Sequence, residues 1–211
     1  MKARKILAMV AALALTAALA VGGTLAYLTS TKTVTNTFTV GNVQIKLDEA
    51  ALNADGSVNS AAARVTANSY KLLPGLTYNK DPMVTVLKDS ESSYIKMTVT
   101  FSKSAELDAI FAPSGADMTS IFNGYDGTNW TYKGNTENTG DNTRTYEFWY
   151  KDTVDALTAD VPLDALFDSI TVPGTITNAQ LATINDMTIT VNAYAIQADG
   201  FADAADAWAH Y

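Results

Sequence analysis

Hydrophobic and polar positions alternate with a period of two along much of this chain. Residues 33–40 read TVTNTFTV, with Val34, Asn36, Phe38 and Val40 on one face and four threonines on the other. That period is the signature of a strand. At Gly41 the parity flips, because Val43, Ile45 and Leu47 are apolar at odd positions. A glycine at such a flip predicts a bend, bulge or break. Two strands, or one sharply bent strand, are therefore expected over 33–40 and 43–47.

Residues 48–69 are polar and Ala-rich, with a turn signal at Asn53-Ala54-Asp55-Gly56, and read as a long surface excursion. Turns are expected at Pro74-Gly75 and Asp81-Pro82, followed by a short strand from Met83 to Leu87 and a turn over 89–92. YIKMTVTF, residues 94–101, is the clearest strand: Ile95, Met97, Val99 and Phe101 point one way, Lys96, Thr98 and Thr100 the other. Ser104 is placed to cap a short helix holding Leu107, Ile110 and Phe111, and Asp117 a second. Trp130 and Tyr132 begin a short strand, 133–142 reads as a loop, and TRTYEFWYK, 143–151, returns as a strand. Short helices are predicted over 162–169 and, capped by Thr177 or Asn178, over 179–184. A last strand spans 187–197, with Met187, Ile189, Val191, Ala193 and Ala195 inward, and the tail places Phe201, Ala205 and Trp208 on one helical face. Roughly seven to nine short strands with many turns predict an all-β fold, a jelly-roll-like antiparallel β-sandwich with short helical insertions.

The first residues follow a different rule. Lys2, Arg4 and Lys5 precede an apolar run from Ile6 to Val21, and Gly22-Gly23-Thr24-Leu25-Ala26 supplies small residues where a signal peptidase reads. The expected cut falls between Ala26 and Tyr27. An uncleaved membrane anchor is the alternative, although the run of about 16 residues is short of the ~20 that span a bilayer. The predicted division is a signal helix over 1–26, an extended segment over 27–42 and a sandwich domain over 43–211.

Charge and composition narrow the chemistry. The chain carries a net charge of −8, and the leader holds three of its 14 Lys/Arg and none of its 22 Asp/Glu. An acidic mature chain does not suit nucleic acid, whose phosphates need clustered Lys and Arg. There is no cysteine, so neither disulfides nor thiolate chemistry are available. The single histidine, His210, sits beside the C-terminus and has no HExxH partner, and no GxSxG is present. No catalytic, cofactor-binding or metal-ligating set is therefore expected. Two acidic clusters, Asp48/Glu49/Asp55 and Asp199/Asp203/Asp206, read as solvated carboxylates and leave room only for a weakly bound calcium ion. The aromatics between Trp130 and Tyr150 read as core and cross-strand pairs, with a glycan-binding face as the alternative.

Several stretches, in this order, resemble the TasA/camelysin family of exported proteins of Gram-positive bacteria. They are the junction Gly22 to Ala26, Phe38-Thr39-Val40-Gly41-Asn42-Val43, Leu73-Pro74-Gly75 with Lys80-Asp81, and Ile189 to Gln197 followed by Ala198-Asp199-Gly200-Phe201. Residues 102–186 carry none of these motifs. The resemblance implies a jelly-roll sandwich, cleavage by a signal peptidase of the SipW type, and association with the membrane only before that cut. It implies secretion to the cell surface or extracellular matrix and self-association into biofilm fibres. There a subunit's N-terminal strand is donated to its neighbour's sheet, and Tyr27 to Val40 match the donor position, with Val34, Asn36, Phe38 and Val40 as its inward face. Some members are described as metalloendopeptidases, for which this chain lacks the ligands. A secreted module binding glycan or another surface component is the other reading.

Overall fold

The computed structural model describes residues 41–53, 55–111 and 122–211. The expected signal helix, the cleavage point at Ala26 and Tyr27, the strand over 33–40 and the helix capped by Asp117 lie outside these residues. So do the site positions Val34, Asn36, Phe38 and Val40.

Among the described residues the fold is an all-β antiparallel sandwich with short helices. Its strands are β1 (Ile45–Asp48), β2 (Thr77–Asn79), β3 (Met83–Val86), β4 (Ser90–Ser102), β5 (Phe122–Asn123) and β6 (Trp130–Asn138). They continue as β7 (Thr143–Tyr150), β8 (Val154–Ala156), β9 (Val161–Pro162), β10 (Ser169–Thr171) and β11 (Ile189–Gln197). The helices are α1 (Ser104–Phe111), α2 (Asn178–Thr183) and α3 (Ala204–Ala209). One sheet runs β11-β4-β7-β6, with β8 paired to the start of β4; two smaller sheets run β1-β3-β9 and β2-β10-β5.

The alternation of 94–101 is realised as expected. Ile95, Met97, Val99 and Phe101 of β4 are buried and meet Tyr146 and Phe148 of the neighbouring β7 in one cluster. Val84 and Val86 of β3, Phe122 of β5 and Ile170 of β10 join that cluster from the smaller sheets. Phe122 anchors it, with ring centroids 5.7 Å from Phe101, 5.8 Å from Tyr146 and 4.4 Å from Phe167. Burying each such side chain contributes roughly 1.5–3 kcal/mol, so a few aromatics hold the layers together without disulfides.

Three local expectations change. The loop expected over 133–142 shrinks to the turn 139–142: β6 runs on to Asn138, paired with β7 down to Asn138↔Thr143. A bulge at Lys133, followed by Gly134 at φ 130°, shifts the register there. Beyond it both faces are largely exposed, so ladder hydrogen bonds rather than burial hold the extension and no hydrophobic pattern announces it. The helix expected over 162–169 is absent. Leu163, Leu166 and Phe167 are buried as that pattern implied, but the backbone bonds outward, Leu163 N–H to Val84 O and Leu166 N–H to Pro82 O. Strands β8 and β9 appear where no strand is expected, because pieces of two or three residues carry no readable period.

The caps illustrate both outcomes. Thr177 caps α2 in a capping box with Gln180, as the sequence indicates. At α1 the amide of Ala105 donates instead to Oδ1 of Asn142, 37 residues away, at 3.0 Å.

Candidate functional site

The site is a groove where two sheets stop. β11 is the last strand of the large sheet and β1 the last strand of its small sheet. In an antiparallel pair, successive residues turn their N–H and C=O alternately toward and away from the partner. Ser102 N–H donates to Thr188 O and Ala198 N–H to Ser92 O, so the even residues of β11 face β4. The odd residues Ile189, Val191, Ala193, Ala195 and Gln197 therefore direct their backbone groups away from β4, to a side where no strand lies among the described residues. The same reasoning applies to β1: Leu87 N–H donates to Gln44 O, so even residues face β3 and Ile45 and Leu47 turn outward.

A cavity of about 1370 Å³ lies along these edges. Leu47, Leu72, Ile170, Val172, Leu181 and Val191 are among its apolar lining residues. The inward row expected for 187–197 is present but only half covered. Met187, Ile189, Val191, Ala193 and Ala195 pack on the core and remain half-buried, whereas the corresponding row of β4 is fully buried.

One wall of the groove is charged. Asp48 and Glu49, expected as solvated carboxylates, are buried at 4% and 6% exposure. Lys80, itself buried, donates to Glu49 Oε2 at 2.7 Å, and Asn68 Nδ2 donates to Glu49 Oε1 at 3.0 Å. Asp48 takes Lys46 Nζ at 2.6 Å and Arg64 Nε, while Arg64 Nη1 donates to Asp81 Oδ2 at 2.8 Å. Burial alone would raise the Asp48 carboxyl, but hydrogen bonds from Lys46 and Arg64 outweigh it and hold it below the usual range. Tyr70, whose hydroxyl donates to Asn79 O at 3.1 Å, has that hydroxyl pushed up by burial and then by the charge of Glu49.

These pairs also explain the excursion over 48–69. Glu49 and Val65 exchange both backbone hydrogen bonds at 2.8 Å, and Asn68 Nδ2 also donates to Ala50 O at 2.9 Å. Its return leg, 65–72, is thereby fixed as a wall of the groove and not left as a loose surface loop. Lys80-Asp81 was legible only as a strand boundary. The missed signal is that Asp48 and Glu49 follow Leu47 with no turn residue between, so the strand carries its charges into the interior.

The remaining sequence candidates are dispersed. Asp55 is exposed and accepts from Ser57 Oγ at 2.6 Å. Asp203 caps α3 by accepting from Asp206 N–H at 2.9 Å, and Asp206 accepts from Ala202 N–H at 3.0 Å. His210 is exposed, with Nδ1 2.8 Å from Asp206 O. Among the described residues no three His, Cys, Asp or Glu side chains group as metal ligands. Trp130 is buried with its indole N–H on Asp164 O at 3.1 Å, which removes it from any glycan-binding face. Trp149 lies on the other face of β7, with Lys133 Nζ 4.2 Å from its ring centroid and Trp208 at 6.4 Å.

Residues 2–55 match a family model described as Camelysin metallo-endopeptidase. The match covers the N-terminal apolar run, the residues up to β1, β1 itself and the first part of the excursion. No curated protein and no solved structure matches the chain.

Proposed function

We propose, for a chain whose residues 2–55 are similar to the TasA/camelysin family, an exported structural role. It is a fibre subunit of the cell surface or biofilm matrix that polymerises by lending its N-terminal strand to the next copy. The observation that carries this reading is that, among the described residues, β11 has no strand on its outer side, beside a half-covered apolar row. A strand added there satisfies a line of outward N–H and C=O groups and covers Ile189 and Val191.

The segment over 33–40 suits the slot by length and by pattern. At ~3.3 Å per residue its eight residues span about 26 Å, close to the nine-residue edge of β11 at about 30 Å. Its Val34, Phe38 and Val40 share one apolar face. Before processing, the apolar run over 6–21 keeps the donor at the membrane, and a SipW-type peptidase cutting after Ala26 releases it into the extracellular space.

The camelysin description names a metallo-endopeptidase. The described residues do not fit such a centre: the buried carboxylates of Asp48 and Glu49 are held by Lys46, Arg64 and Lys80, whose charges repel a metal cation.

Electron microscopy of the processed chain over time tests the proposal. Fibres are expected from the intact chain. A chain lacking residues 27–40 is expected to stay monomeric while keeping its β-sheet circular dichroism. Fibres formed by that truncated chain overturn the reading.

A further inference from the structure

We infer that Lys80 and Asn68 join through a side-chain amide, an intramolecular isopeptide bond that forms without an enzyme once the chain folds, with Glu49 as the proton carrier. The bond belongs to the sandwich itself and does not depend on strand donation.

The inference starts from what one buried carboxylate holds. Lys80 Nζ donates to Glu49 Oε2 at 2.7 Å, and Asn68 Nδ2 donates to Glu49 Oε1 at 3.0 Å. Among the described residues Glu49 is the one carboxylate that takes both a lysine and a carboxamide. Asn68 Nδ2 also donates to Ala50 O at 2.9 Å. Both of its neighbours only accept, which fixes that end of the amide as the nitrogen. The leaving nitrogen therefore lies on the same carboxylate as the nucleophile. The side chains of Lys80 and Glu49 are 8% exposed, and the Tyr70 ring covers them, its centroid 5.9 Å from Lys80 Nζ. Lys46 with Asp48 lacks these features: Lys46 is 57% exposed, and its carboxylate holds Arg64 in place of a carboxamide.

The Lys80 ammonium passes one proton to Glu49 along their hydrogen bond, a step that removes two charges from a buried place. The free amine attacks Asn68 Cγ; a C–N bond forms and the carbonyl π pair moves to Oδ1. Glu49 gives its proton to Nδ2 and takes one from the attacking nitrogen. The carbonyl re-forms as the Cγ–Nδ2 bond breaks, and ammonia leaves as ammonium with the proton that Glu49 last held. Holding amine and carboxamide on one carboxylate supplies the proximity that this otherwise slow exchange needs. The product ties the return leg of the excursion to the residue that follows β2, in a chain without cysteine. It restricts the unfolded chain as a disulfide would.

Intact-mass spectrometry of the full chain, followed by peptide mapping, tests this. The expected result is a mass one ammonia below that of the sequence, and a branched fragment joining the peptides that hold Asn68 and Lys80. Lys80→Arg and Asn68→Ala are expected to keep the full mass of their sequences. Glu49→Gln is expected to slow the joining about 100- to 10,000-fold, read as the fraction joined over time in a variant whose β-sheet circular dichroism is native. A wild-type chain at full mass overturns the bond. So does ammonia lost without the branched fragment, as ring closure at Asn123-Gly124 would give. Joining in Glu49→Gln at the wild-type rate overturns Glu49 as the proton carrier. The wild-type fragment decides the bond even where a variant fails to fold.

Discussion

Arg64 donates to Asp81 twice, through Nη1 to the carboxylate and through Nη2 to the main-chain carbonyl, both at 2.8 Å. The same guanidinium holds Asp48, so one side chain ties the excursion to β1 and to the entry of β3. Arg64→Met keeps much of the side-chain volume and removes one cationic partner from each of two carboxylates, leaving Asp48 with Lys46 alone. It is expected to cost about 1–3 kcal/mol, read from the shift in urea midpoint. The same network gives a pH signature. The folded-state pKa of Asp48 is lowered, so its contribution is present above the unfolded value near 3.9 and is lost as pH falls through the folded value. Stability measured from pH 6 downward is expected to fall in that acid range, and to fall less steeply in Asp48→Asn.

Proline scanning of β11 separates its two edges. Val191 directs its N–H to the open edge, whereas Asn192 faces Thr98 of β4. Val191→Pro is expected to keep the fold, with a thermal midpoint close to wild type, and to abolish fibre formation, because the outward donor is lost. Asn192→Pro removes a ladder bond to β4 and is expected to destabilise the sandwich by about 3 kcal/mol. Equal damage from both substitutions would show that the edge is not open.

Asn142 stands at the start of α1, its Oδ1 accepting from Ala105 and its Nδ2 donating to Glu106 Oε2 at 2.7 Å. It does so at φ 50°, where asparagine is among the tolerated residues. Asn142→Ala is expected to cost about 1 kcal/mol through the lost cap, measured by thermal melting.

Gly124 takes φ 68°, and a Cβ there would lie 2.0 Å from Asp168 Oδ2. Gly124→Ala is expected to lower stability by about 1–3 kcal/mol, from left-handed backbone strain and from pushing Asp168 aside. Gly56, at φ 86° but with open space around it, is expected to respond with the smaller backbone effect alone. Urea titration of both alanine variants compares the two.

Much of the fold was legible because side-chain faces are a local property. Ile95 to Phe101 and Tyr146 with Phe148 lie inward as their alternation required, and Thr177 caps its helix with its own Gln180. The outer half of β6 was not legible, since exposed polar residues in a ladder show no period. Nor was the missing helix at 162–169, because buried helix-like spacing at Leu163, Leu166 and Phe167 also fits a coil whose amides bond to β3 and its approach.

The sequence by itself determined the alternating faces of β4 and β7 and the turn at Pro74-Gly75. Each of these depends on residues within a few positions of one another. Tertiary structure alone decided that β11 and β1 are the last strands of their sheets among the described residues, and that Glu49 is buried against Lys80, 31 residues on. Neither follows from a period or a propensity. An edge is defined by the strand that is not beside it, and a buried charge is stabilised by a counter-ion that only folding brings within reach.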